Sequence, residues 1–224
     1  MQIRFGRLSV VLLMPLFVSV CSSPSRGVII LCAGDSITAA AYPHFLQRIL
    51  ARNGTRARVL NYGRSGFTSG EYRAFVENNL DRLGREQPDA VLLQLGTNDV
   101  RTDGDRTETA AFRANMEAVV AAFRTLRGPA GRPPLVFVAT IPPVPPGTPF
   151  PFSAESVRRV EDDINPVVRG LASKEKLILV DNHGLFLSNS SLLSGVHPTR
   201  EGYEALAENW YAALLPRLAA LSGS

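Results

Sequence analysis

Three side chains suited to acyl chemistry lie far apart in this chain. The stretch "GDSIT" (34–38) offers the Ser36 hydroxyl, "GTND" (96–99) the Asn98 amide, and "GVHPTREGY" (195–203) the imidazole of His197, one of three histidines. A serine hydroxyl is a poor nucleophile until a neighbouring base takes its proton. An imidazole acting as that base needs a group to hold its ring and tautomer, and residues 192–196 contain no carboxylate. Each motif also has a plainer use: Gly-Asp-Ser suits a turn, Asn and Asp cap turns after strands, and a histidine before Pro-Thr suits a solvated helix start. Of the other histidines, His44 falls in a helical segment, and His183 in "VDNHG" reads as a loop residue.

These groups need a scaffold that brings them together. The runs "GVIILCAG" (27–34), "ARVLNYG" (57–63), "DAVLLQLG" (89–96), "PLVFVAT" (134–140) and "KLILVDN" (176–182) are short and rich in Val, Ile and Leu. They are too continuously apolar to leave one face in water, so they read as buried strands. Helical patterns alternate with them over Tyr42 to Arg52, Gly70 to Leu83, Thr107 to Leu126, Ser153 to Lys174 and Thr199 to Leu221, with Thr107, Ser153 and Thr199 as N-caps. Repeated β-then-α units imply one α/β domain over residues 26–224: a five-stranded parallel sheet between two helical layers. In such a sheet the loops that follow strands open on one edge, where ligands bind at the reversal of strand order. The loops holding Ser36, Gly63 in "NYGRSG" and Asn98 all open there, and His197 reaches the same edge ahead of the last helix.

In that order, Ser36, Gly63, Asn98 and His197 match the four namesake residues of the SGNH hydrolases, also called GDSL esterases and lipases, which residues 27–224 resemble. The resemblance implies a three-layer, flavodoxin-like fold and a serine esterase needing neither metal nor cofactor. It assigns Ser36 as nucleophile, His197 as base, and the N–H groups of Ser36 and Gly63 with the Asn98 amide as donors to the oxyanion. Asp35 shapes the turn. The family's usual pattern has an aspartate three residues before the histidine, where this chain has Ser194. Loss of the carboxylate from a serine triad lowers turnover by ~10⁴-fold, yet the remaining machinery still exceeds water by ~10³. The Ser194 hydroxyl, a carbonyl within residues 192–195, or Asp181 at the end of the fifth strand are the candidate substitutes. The reading adopted is a Ser36 and His197 dyad with neutral groups around Ser194 orienting the ring.

Composition removes other function classes. With 24 basic and 20 acidic residues in 224, and 45% hydrophobic residues, the chain holds a proper core and no basic run of the kind that grips nucleic acid. Residues 1–25 read as a secretory signal peptide: Arg4 and Arg7, an apolar stretch from Leu8 to Val20 interrupted by Pro15, then "CSSPS". The stretch is too short for a membrane span. A secreted or periplasmic location follows; bulky Val20 before Cys21 argues against a lipid anchor there. The segment "IPPVPPGTPFPF" (141–152) is a stiff loop on the active edge whose Phe150 and Phe152 either wall an acyl pocket or pack as a connector. With no long hydrophobic lid, short or medium acyl esters are the expected substrates, carried on an acyl lipid or an acylated carbohydrate. The alternative from another class is a pseudoenzyme that keeps the cleft to bind carbohydrate or lipid.

Overall fold

The apolar runs become strands because both of their faces are covered. A computed structural model describes Gln2 and residues 26–222; the signal-peptide reading and Cys21 lie outside the described residues. The strands β1 (Val28–Gly34), β2 (Ala57–Gly63), β3 (Ala90–Gln94), β4 (Leu135–Ala139) and β5 (Ile178–Val180) are all parallel, in the order β2-β1-β3-β4-β5. Successive side chains alternate between two cores. Leu31, Ala33, Val91, Leu93, Val136 and Val138 face one layer of helices, while Ile30, Cys32, Leu92 and Phe137 face the other. The expected three-layer α/β sandwich is therefore the observed one.

The first layer holds α3 (Ser69–Asn78), α4 (Leu80–Arg85), α5 (Thr109–Thr125), α6 (Ala154–Arg159) and α7 (Asn165–Lys174); the second holds α1 (Ser36–Ala39), α2 (Tyr42–Arg52), α8 (Asn182–Ser188) and α9 (Arg200–Ser222). Among the described residues no helix is long and apolar enough to cross a membrane.

Several elements depart from the expected pattern for identifiable reasons. The helix expected over 70–83 breaks at Asn79, whose Nδ2 donates to the Phe75 carbonyl at 2.8 Å and so satisfies the end of α3. Thr107 does not cap α5, which starts two residues later; its N–H donates to the Asp99 carbonyl at 3.1 Å instead. Ser153 does cap α6, and the Thr199 Oγ1 accepts from Gly202 N–H at 3.1 Å at the start of α9. Between α6 and α7 lies a π turn, Val160–Ile164, just ahead of Pro166, which has no N–H to continue an α-helical ladder. His183 is not a loop residue: it lies buried in α8, its Nε2 2.9 Å from a Glu161 carboxylate oxygen but not aligned as a hydrogen bond.

Candidate active site

The strand order reverses between β1 and β3, so the loops after these two strands diverge and leave a crevice at their carboxyl ends. Ser36 enters it from β1. Asp35 caps α1, its Oδ1 accepting from Ile37 N–H at 3.0 Å, which makes Ser36 the first residue of a helical turn. The first N–H groups of a helix have no partner inside it, and among the described residues the Ser36 N–H donates to none.

His197 arrives on a small antiparallel hairpin of β6 (Leu193–Ser194) and β7 (His197–Pro198), turned by Gly195 at φ +59°. The Thr199 N–H donates to the Leu192 carbonyl at 2.8 Å and ties the hairpin to the start of α9. The chain thus brings two residues that are 161 positions apart to a Ser36 Oγ to His197 Nε2 separation of 2.8 Å, within reach of direct proton transfer.

Among the described residues no carboxylate hydrogen bonds the other ring nitrogen. Ser194 stands opposite His197 in the hairpin register, but among the described residues neither its hydroxyl nor any other group hydrogen bonds Nδ1. Asp181 is occupied elsewhere: it caps α8 through Gly184 N–H at 3.2 Å, accepts from Thr140 Oγ1 at 2.9 Å and lies 3.6 Å from Arg169.

The two glycines of "NYGRSG" divide differently from the sequence expectation. Gly63 is buried under α1, where a Cβ would lie 2.1 Å from Ala39 N, and its N–H already donates to Asn61 Oδ1 at 3.0 Å. Its lack of a side chain lets β2 pack against α1, and its N–H is not a free donor. Three residues on, Gly66 has φ +82°, is exposed, and would place a Cβ in open space. Among the described residues its N–H donates to no acceptor. The next residue, Phe67, accepts the Asn98 Nδ2 at 2.9 Å, so Gly66 and Asn98 are neighbours across the crevice. The sequence reading names Gly63 and not Gly66, although both stand in the quoted motif.

Behind Asn98, the buried Asp99 carboxylate accepts from Ser69 N–H at 3.0 Å and Ser69 Oγ at 2.6 Å, and Asn115 Nδ2 donates to Ser69 Oγ at 3.1 Å. Burial raises the Asp99 pKa, against hydrogen bonds from Ser69 that oppose the rise. Burial likewise pushes the Asp35 carboxyl up to about 6. Cys32, wholly buried beneath, has its thiol pushed up to about 12 by desolvation. The proline-rich segment is fixed by the Pro151 carbonyl, which accepts from Thr102 N–H at 2.8 Å. Its two aromatics separate: Phe152 packs on the core, whereas Phe150 is 77% exposed.

Solved structures share this architecture. Axe2, an acetylxylan esterase from Geobacillus stearothermophilus, matches with a TM-score of 0.68 and 19% identity over 85% of this chain and 95% of its own. The native aryl esterase of M. smegmatis matches with a TM-score of 0.66 and 21% identity over 87% of this chain and 100% of its own. A carbohydrate acetylesterase family member from Sinorhizobium meliloti gives 0.64 and 19% over 88% and 100%. At such identities the likeness concerns the fold. No curated protein matches the chain. Residues 32–205 match the GDSL-like lipase/acylhydrolase family, a span that runs from β1 past the hairpin of His197 into α9; the chain belongs to that family.

Proposed function

We propose that the protein is a serine esterase in which Ser36 attacks the acyl carbon of a small ester and His197 manages the proton. The observation that carries this reading is the 2.8 Å contact between Ser36 Oγ and His197 Nε2 at the reversal point of the sheet. As Oγ bonds to the acyl carbon, its proton passes to Nε2 and negative charge builds on the carbonyl oxygen. The Ser36 N–H, the Gly66 N–H and the second hydrogen of Asn98 Nδ2 are the donors assigned to that oxygen, with Gly66 replacing Gly63 in the role. The imidazolium then protonates the leaving alkoxide as the C–O bond breaks, and water repeats the sequence on the acyl-serine. Ser194 and Asp181 have no proton to move in this scheme; Asp35 supports the turn of Ser36.

Short acyl groups on a carbohydrate or a small alcohol are the substrates we favour, a preference supported by the acetyl esterases among the structural relatives. Residues 1–25 fit a leader that delivers the enzyme outside the cytoplasm. Hydrolysis of p-nitrophenyl acetate, butyrate and octanoate by the protein and by Ser36→Ala, with fluorophosphonate labelling alongside, tests the reading. Rates should fall with acyl length and labelling should require Ser36. That no carboxylate hydrogen bonds Nδ1 among the described residues favours a second reading, a cleft that binds acylated carbohydrate or lipid without turnover; wild-type rates equal to those of Ser36→Ala, with no labelling, would favour it over the esterase.

A further inference from the structure

The loop from Leu95 to Glu108 carries Asn98, and one buried arginine fastens it from behind. Arg159, the last residue of α6, is only 5% exposed. Its Nη1 donates to the Asp99 carbonyl at 2.7 Å, its Nη2 to the Thr107 carbonyl, and its Nε to the Asp163 carboxylate at 3.2 Å. All three guanidinium nitrogens are engaged, two of them at the points where the loop closes on itself through the Thr107 N–H to Asp99 carbonyl bond.

The consequence for Asn98 follows from its neighbour. Asp99 is held at its carbonyl by Arg159 and Thr107, at its N–H by the Gly96 carbonyl at 3.1 Å, and at its carboxylate by Ser69. The residue directly before it can move only as far as these fixed points allow. Burying a guanidinium carries a desolvation cost of several kcal/mol, and an apolar side chain could fill the same space. What the planar fork does, and an apolar residue cannot, is hold two carbonyls at once in a preset planar arrangement, which a lysine's rotatable ammonium does not impose.

We propose that Arg159 is a positioning residue for the reaction: by pinning the Asp99 peptide and the far end of the loop, it holds the Asn98 amide where the oxyanion forms. The inference rests on the oxyanion role proposed above for Asn98. That amide acts on charge present only in the transition state, so misplacing it lowers kcat and leaves KM nearly unchanged.

The test is a double-mutant cycle on p-nitrophenyl acetate with Asn98→Ala, Arg159→Met and the pair. Asn98→Ala should lower kcat by ~10²- to 10³-fold. Arg159→Met should lower kcat by roughly 10- to 100-fold with KM within about threefold, yet cost less than about threefold once Asn98 is already alanine. Arg159→Lys, which keeps the charge but loses the fork, gives the same comparison if the methionine variant does not fold. Equal proportional losses in both backgrounds would overturn the proposal, as would a lowered melting temperature with kcat at 20 °C unchanged. An Asn98→Ala variant with wild-type kcat would instead refute the role of Asn98, a distinct failure that removes the proposal's basis.

Discussion

At the scale of single residues, the proposed nucleophile, base and amide were legible because each sits in a short motif that the predicted elements bring to one edge of the sheet. The glycine proposed for the oxyanion, Gly66, was not, since Gly63 and Gly66 share one motif and only the occupancy of an N–H in space tells them apart. The difference is measurable. Asn61→Ala releases the Gly63 N–H, and if Gly66 is the donor, kcat for p-nitrophenyl acetate should stay within about twofold of wild type; a large rise would return the role to Gly63. Ser194→Asp places a carboxylate opposite His197 in the hairpin and should raise kcat by roughly tenfold or more, short of the ~10⁴ that a triad carboxylate supplies. Asp35 gives a pH dependence. Its folded pKa, about 6, lies above the ordinary 3.8 because burial disfavours the charged form. The stability it contributes is therefore fully present below about 3.8 and is lost as pH rises through about 6, a swing on the order of 3 kcal/mol. Urea unfolding of Asp35→Asn against wild type should show the variant gaining relative stability between pH 4 and pH 7.

At the scale of elements, long periodic segments were readable and short ones were not. The range of α2 follows directly from its apolar spacing, whereas α1 is a single turn and α8 has seven residues, too few for periodicity to emerge from sequence. The π turn between α6 and α7 was hidden for another reason: the residues on both sides keep helical spacing, and only the missing N–H of Pro166 hints at a break. The continuous stretch of α6, π turn and α7 grips two active-edge loops. Arg159 holds the one after β3, and the buried Asn165 amide holds both backbone groups of Ile141 after β4, accepting at 2.8 Å and donating at 3.2 Å. Asn165→Ala would leave two buried backbone groups without partners, each worth ~1–3 kcal/mol. A clear fall in the urea midpoint at unchanged m-value is expected.

For the whole molecule, the two cores share every central strand, so neither helical layer can come away without exposing the sheet. The chain's one tryptophan, Trp210, reports on this: it is fully buried in α9 and stacked on Tyr42 of α2, ring centroids 6.2 Å apart. Its native emission spectrum and the esterase activity should be lost at the same urea concentration; separate midpoints would mean that the layers unfold independently. The fold class was legible because alternating buried strands and amphipathic helices admit few arrangements, while the convergence of loops depends on contacts distant in sequence. The small hairpin bearing His197 stands outside this shared sheet, tied to the start of α9 through the Thr199 N–H and seated on the two cores through Val196 and Leu193. Its exposed tip is the part open to redesign: exchanging Ser194 and Gly195 while keeping Leu193 and Val196 offers a way to retune the imidazole with the sandwich beneath undisturbed.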